Sequence, residues 1–167
     1  DDQQVSTFVG LGFVVANAAS TEISGFEVDA AWQATEKLRL NLAFGYIDGE
    51  YGSFPGAGCT ALQQDALRGL GITDSSAPVT SVTVDGRTCE QKFLGNGAPS
   101  GASQDLSGAD LGSAEYSGSF GAEFVQPIGA MAWFTQLDVN FTDDYFMTGD
   151  LDPIDVQAGF ETVNIRT

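Results

Sequence analysis

From Phe26 onward, alternate residues are apolar: Phe26, Val28, Ala30, Trp32 and Ala34. The set between them, Glu27, Asp29, Ala31 and Gln33, is polar or small. After Thr35-Glu36-Lys37 the pattern restarts, with Leu38, Leu40, Leu42, Phe44 and Tyr46 against Arg39, Asn41, Ala43, Gly45 and Ile47. A period of two puts one set on each face of a strand, whereas a helix would bring apolar residues back every three or four positions. Two such runs joined by a few polar residues predict an antiparallel hairpin. Strands of soluble proteins usually stop after about five or six residues, and a tilted strand crossing a bilayer needs roughly 9–11. Both runs reach that length. Trp32 near the turn, with Tyr46 and Tyr51 toward the far end, fits the aromatic girdles of outer-membrane barrels.

The pattern returns after residue 115. Tyr116, Gly118, Phe120, Ala122 and Phe124 alternate with Ser117, Ser119, Gly121 and Glu123. A tight connection is predicted over 126–130. Then Trp133, Thr135, Leu137, Val139 and Phe141 alternate with Phe134, Gln136, Asp138, Asn140 and Thr142. Residues 143–146 read as an interfacial end, 148–155 as an acidic loop, and 156–167 as a further strand of ambiguous facing. At the other end, residues 1–12 are weakly patterned, with a turn at Gly10-Leu11-Gly12. Residues 13–19 are apolar and small, with Asn17 as a bulge leading into the strand at Thr21.

Residues 55–112 lose the long alternation. Thr60 and Gln63 form a capping-box pair ahead of Leu62, Ala66, Leu67 and Leu70 at helical spacing, with a stop at Gly71. Residues 79–84 and 87–93 flank Asp85-Gly86, a type I′ hairpin signal. Gly, Ser, Asn and Pro from 95 to 103 read as open loop. Connections thus alternate between short (35–37, 127–130) and long (52–112, 147–155), the division seen in barrels with short periplasmic turns and longer extracellular loops. The predicted fold is all-β: an antiparallel transmembrane β-barrel segment of about five to six strands from a larger barrel, with 55–112 as one long extracellular loop. A single hairpin of this kind also suits a soluble β-sandwich.

Composition narrows the function classes. The chain has 167 residues, 23 acidic and 6 basic, no histidine and a net charge of −17. No apolar run of about 18 residues exists, which excludes a transmembrane helix but not a barrel, whose lumen-facing residues average the hydropathy away. The charge argues against nucleic acid, whose phosphates would repel it. Without histidine there is no imidazole-based triad and no zinc site of the usual kind. Nothing places two carboxylates around a pocket, so no enzymatic role, cofactor or metal is expected. The chain opens without a signal sequence and ends within a strand pattern, and it reads as a segment of something longer. Five strands and part of a sixth cannot close a barrel, and an open edge in lipid leaves backbone groups unpaired at several kcal/mol each.

Four stretches in order carry a resemblance: Asn17-Ala18-Ala19 leading to Glu22-Ile23-Ser24-Gly25-Phe26-Glu27-Val28; Leu38-Arg39-Leu40-Asn41 running to Gly45-Tyr46-Ile47-Asp48-Gly49-Glu50-Tyr51; Gln104-Asp105-Leu106-Ser107-Gly108; and Val163-Asn164-Ile165-Arg166. Their order and spacing resemble the barrel of TonB-dependent outer-membrane receptors. The resemblance covers nearly all of the chain except the insert, and departs at 110–115, where an Ala-Pro pair is missing. It implies a 22-stranded, plugged barrel in the bacterial outer membrane of a Gram-negative cell. Such a receptor imports a scarce nutrient (siderophore, cobalamin, glycan or similar) with energy from the proton-motive force. The implied partners are membrane lipid and lipopolysaccharide, the rest of the barrel and its plug, TonB, and the small nutrient ligand. A passive porin and a secreted β-sandwich adhesin remain as alternatives.

Within this frame Cys59 and Cys89, in a loop facing the outside, are expected to form a disulfide. Closing about 30 residues stabilises the loop by roughly 3–4 kcal/mol on the chain-entropy model. Glu27, Asp29, Arg39, Asn41, Glu123, Gln136, Asp138 and Asn140 are expected to line the lumen, and Phe26, Val28, Leu40, Leu42, Phe120, Leu137 and Val139 to face lipid. Asp143, Asp144, Asp150, Asp152 and Asp155 could offer oxygens to calcium, but their spacing matches no EF-hand loop. They read as a solvated acidic loop.

Overall fold

A computed structural model describes residues 3–9, 12–18, 20–70, 79–93 and 99–167. In chain order the strands are β1 (Gln3–Val9), β2 (Gly12–Ala18), β3 (Ser20–Gln33), β4 (Leu38–Ser53) and β5 (Ala57–Gly58). Helix α1 (Ala61–Gly69) follows, then β6 (Val79–Val84), β7 (Arg87–Phe93) and β8 (Pro99–Gln104). The last group is β9 (Tyr116–Ile128), β10 (Met131–Thr142), β11 (Tyr145–Phe146), β12 (Val156–Gln157) and β13 (Phe160–Arg166). The fold is mostly β, its sheets are antiparallel, and no helix of the described residues is long and apolar enough to cross a membrane.

The chain divides into two compact units. Residues 23–48, 113–145 and 156–167 form a sheet unit. Residues 1–22, 49–112 and 146–155 form a second, which we call the loop unit.

The sheet is five-stranded in the order β13-β10-β9-β4-β3. Its strands are long, with 14 residues in β3, 16 in β4, 13 in β9 and 12 in β10. The predicted hairpin is present, and Thr35 closes its turn by exchanging backbone bonds with Leu38. The second connection is tighter than predicted. Residues 126–128 continue β9 and only Gly129 and Ala130 turn the chain, with Met131 opposite Ile128. Pro127 is tolerated there because β4 begins at Leu38, opposite Phe124, so no ladder donor is needed on that side. The ambiguous last strand is settled by register: Val163 and Ile165 lie opposite Val139 and Leu137.

The loop unit holds its own core. Tyr51, Phe54, Ala57, Leu106 and Leu151 are buried together, with Ala109, Leu111 and Phe146 packed against them. Tyr51 is therefore a core residue and not the interfacial aromatic its position suggested. Cys59 and Cys89 form the expected disulfide, with Cα atoms 5.7 Å apart. The capping box on α1 is complete: Gln63 N–H donates to Thr60 Oγ1 at 3.1 Å and Thr60 N–H to Gln63 Oε1 at 2.9 Å. The expected stop at Gly71 lies outside the described residues. Asp85 and Gly86 both have positive φ, 50° and 76°, as a type I′ turn requires.

Three other segments depart from expectation. Residues 99–103, part of the stretch read as open loop, form β8 together with Gln104, and β8 pairs with both β7 and β5. The weakly patterned N-terminus forms β1, paired with β2 from Gln3 opposite Ala18 to Val9 opposite Gly12. Of the turn expected at Gly10-Leu11-Gly12, residues 10 and 11 lie outside the described residues, and Gly12 begins β2. Tyr145 and Phe146 form the short β11 paired with β12. In each case a partner strand, rather than local patterning, supplies the hydrogen bonds that make the segment extended.

Candidate functional site

Cross-strand neighbours in a ladder share a face, so the register sorts the sheet unit into rows. One face carries Leu40–Ala122–Leu137–Ile165 and, one step along, Leu42–Phe120–Val139–Val163. The next row is Phe44–Gly118–Phe141–Glu161, which puts one carboxylate on this face, and Tyr46 lies opposite Tyr116. Phe26 joins this face through ring contacts with Phe44 at 5.9 Å and Tyr46 at 5.7 Å. Gly118 makes room for the aromatic cluster: a Cβ there would sit 2.6 Å from Phe141 Cζ and 2.7 Å from the Ala43 carbonyl oxygen.

The other face is polar. Arg39–Glu123–Gln136–Arg166 form one row, and Asn41–Gly121–Asp138–Asn164 the next. Beyond them lies Ala43–Ser119–Asn140–Thr162. Glu27 belongs here too, since its Cγ lies 3.9 Å from where a Cβ on Gly45 would be. Gln136 donates to both carboxylate oxygens of Asp138 at 3.1 and 2.9 Å, and Asn140 donates to Thr162 Oγ1 at 3.5 Å. Asp138 Oδ1 and Asn41 Nδ2 would both approach a Cβ on Gly121, at 3.5 and 3.6 Å. A depression of about 330 Å³ is lined by Glu27 and Asp29, the small residues Ala43, Gly45, Ser117, Gly118 and Ser119, and the aromatics Phe44 and Phe141. The register thus brings Arg39, Asn41, Glu123, Gln136, Asp138 and Asn140 together on one surface, and Glu27 and Asp29 meet at the depression.

No described residue of the sheet unit is buried. Phe26, Val28, Leu42, Phe120, Val163 and Ile165 are exposed on the apolar face, and Trp32 and Trp133 are 64% and 53% exposed. No family model, curated protein or solved structure matches the chain.

The acidic loop departs from the solvated reading. Asp152 is 1% exposed. Its Oδ2 accepts the Ala61 N–H at 2.6 Å, at the N-terminus of α1, and its Oδ1 accepts the Ile154 N–H at 3.2 Å. Helix N-termini favour a carboxylate because their first N–H groups have no partner within the helix. Among the described residues no group of three or more acidic or cysteine side chains is placed to hold a metal ion.

Sequence reasoning missed the polar network beneath this loop. Gln104 Nε2 donates to the carbonyls of Gly58 at 2.7 Å and Asp150 at 2.9 Å, and Gln63 Nε2 donates to Gln104 Oε1 at 3.1 Å. Arg87 Nη1 donates to the Leu151 carbonyl at 3.1 Å. Leu151 itself has φ 55°, a left-handed conformation that costs a Leu roughly 1–2 kcal/mol. Gly112 opposite it leaves the space, since a Cβ there would lie 2.5 Å from Leu151 Cδ2. Polar rows at Asn164 and Arg166 were also missed, although their alternation with Val163 and Ile165 was visible.

Proposed function

We propose that this chain is part of the barrel of a TonB-dependent outer-membrane receptor that imports a scarce nutrient. One observation carries the reading: a sheet in which four of the five strands exceed the roughly 9–11 residues of a membrane span has a largely apolar face and no buried residue in its unit. Large exposed apolar patches are rare on soluble monomers and mark interaction with protein or membrane. Lipid is the cover we assign. From Trp133 to Phe141 the face extends about 27 Å along β10, or about 21 Å across a membrane at a 40° tilt, close to the ~25 Å belt of outer-membrane barrels.

In this reading the eight polar residues Glu27, Asp29, Arg39, Asn41, Glu123, Gln136, Asp138 and Asn140 line the lumen. The short turns are periplasmic and residues 52–112 and 147–155 extracellular. The order of the four resembling stretches supports import over passive flow. Energised import and diffusion part ways when the proton-motive force is collapsed in cells carrying the whole receptor. Uptake should stop while surface binding persists. Uptake that continues and scales linearly with ligand would make the protein a porin, and recovery in the aqueous phase without detergent would make it a sandwich.

A further inference from the structure

The small sheet of the loop unit runs β5-β8-β7-β6, so β5 and β6 are its outer strands. β5 is two residues long, and β1 lies beside it. β6 spans six residues, and beyond β7 no other strand of the described residues pairs with it. It holds no charge and no proline, and every residue in it except Ser81 is β-branched. Natural edges are blunted by charge, Pro, bulges or very short strands, because free N–H and C=O groups recruit other strands. Pro78 comes just before β6 and bounds its edge without interrupting it.

Register decides which backbone groups are left over. The two-residue turn Asp85-Gly86 makes Val84 and Arg87 a hydrogen-bonded pair. Such pairs alternate along an antiparallel ladder, so Val84, Val82 and Thr80 bond to β7. The N–H and C=O groups of Val79, Ser81 and Thr83 then point away from it. Three donors and three acceptors at every second residue fit one extended segment of about five residues. Helix α1 packs against β6 and β7, on the face where Cys89 lies opposite Val82 and is bridged to Cys59 just ahead of the helix. On the other face Ser81 and Thr83 are exposed.

Charge selects the occupant. Arg68, Arg87 and Lys92 are the basic residues of the loop unit, against 13 acidic ones. Arg68 is paired with Asp65, and Arg87 donates to the Leu151 carbonyl. Asp85 closes one end of β6, and Glu90 lies opposite Ser81 on the exposed face. A second copy would bring the same excess of acid and be repelled, whereas a cationic segment is drawn in. An antiparallel segment meets Asp85 with its N-terminal end. We infer that the loop unit captures an extended peptide, basic at its N-terminal end and uncharged along its middle, as a fifth strand antiparallel to β6. Capture needs only the loop unit; that such a peptide is the ligand taken up rests on the receptor reading.

The probe is the peptide Lys-Lys-Val-Thr-Val-Thr-Val-Thr with a dye at its C-terminus. It is added to the full-length protein and followed by fluorescence anisotropy, with hydrogen exchange measured over residues 79–84. Binding should slow the Ser81 and Thr83 amides to the rate of Thr80 and Val82. Methylating every second peptide amide in the frame that faces β6 should weaken binding about tenfold or more, and methylation in the other frame should change little. Ser81→Pro should weaken it similarly while Thr80 and Val82 stay slow, because the lost N–H points away from β7. Glu in place of the two peptide lysines should also weaken it. No binding, equal loss in both methylated frames, or binding indifferent to Ser81→Pro would overturn the proposal. Pairing of protein copies that Ser81→Pro abolishes would give the edge to a second copy and overturn it too. Capture with no uptake by cells carrying the whole receptor would strike out the peptide as cargo. Uptake that persists after the proton-motive force is collapsed would sink the receptor reading and leave capture by β6 standing.

Discussion

The loop unit buries a cluster of apolar side chains, and no described residue of the sheet unit is buried. Leu106 is 0% exposed, whereas Ile165 is 70% exposed. Both units are built from the same kinds of residue, so the difference lies in what covers them. In the loop unit a few apolar residues close on one another, a disulfide staples two buried cysteines, and every polar group of Gln63 and Gln104 named above finds a partner. Such a unit is suited to water, where burying apolar area is the main stabilising term. A one-layer sheet has no interior to bury anything in, and domains in water are built from at least two packed layers. It needs another cover, which in the proposed reading is lipid on one face and a polar lumen on the other. In that reading the two units are stabilised by different solvents.

Substitutions should therefore differ in the size of their effect between the two units. The largest effect is expected for Leu106→Ala, which opens a cavity in a closed core and should cost about 2–5 kcal/mol of loop-unit stability. Val163→Ala, on the exposed face, should cost well under half of that. Urea titration followed by hydrogen exchange, resolved by unit, reads both, and similar losses would erase the distinction. Next comes the disulfide. A Cys59→Ser, Cys89→Ser variant should lower loop-unit stability by about 3–4 kcal/mol while protection in β9 and β10 stays the same. Loss of sheet protection would mean that the two units do not fold independently.

Charge substitutions sharpen the comparison from the side of the sheet. Leu137→Arg should cost about 2–4 kcal/mol if its face meets the bilayer near the midplane, and Asn41→Arg, on the polar face, much less. Equal damage on both faces would point to a packed sandwich. The smallest effect is in pH. Burial, with help from the Asp110 charge, raises the Tyr51 hydroxyl above its ordinary value of 10.0. The folded state then holds its proton more tightly than the unfolded one, so loop-unit stability is intact below pH 10 and falls above it. Tyr51→Phe should remove that alkaline decline. At the acid end, hydrogen bonds from the Ser107 hydroxyl and N–H hold the Asp105 carboxyl below its ordinary 3.8. Its contribution is present above that value and is lost as pH falls through the folded one, a loss Asp105→Asn should abolish. Thermal melts between pH 3 and 11 measure both arms.

What could be read from the sequence was local. The hairpin at 79–93 followed from Asp85-Gly86, because few other pairs accept positive φ twice running. The capping box of Thr60 and Gln63 spans three residues and needs no tertiary information. The two faces of the sheet followed from parity alone. Long-range contacts were invisible: Asp152 reaches the Ala61 N–H across 91 residues and Gln104 reaches Asp150 across 46. No periodicity announces such contacts, which is why 148–155 read as solvated. β8 was hidden by its Gly and Ser content, since β7 and β5 rather than its own propensity hold it extended. On β13 the polar Glu161 and Thr162 blurred the alternation until pairing with β10 set its facing.

Lipid cover of the apolar face is the claim on which the account depends, and the chain's two tryptophans test it directly. Trp32 lies one side chain beyond the Phe26–Val28–Ala30 series near the 35–37 turn, and Trp133 lies near the 129–130 turn, both exposed at the short-turn end. In full-length protein reconstituted into vesicles, with its other tryptophans replaced by Phe, their fluorescence should be quenched by lipids brominated high on the acyl chain. It should be far less sensitive to aqueous acrylamide. Strong acrylamide quenching with no response to brominated lipid would place the apolar face away from the bilayer and contradict the account.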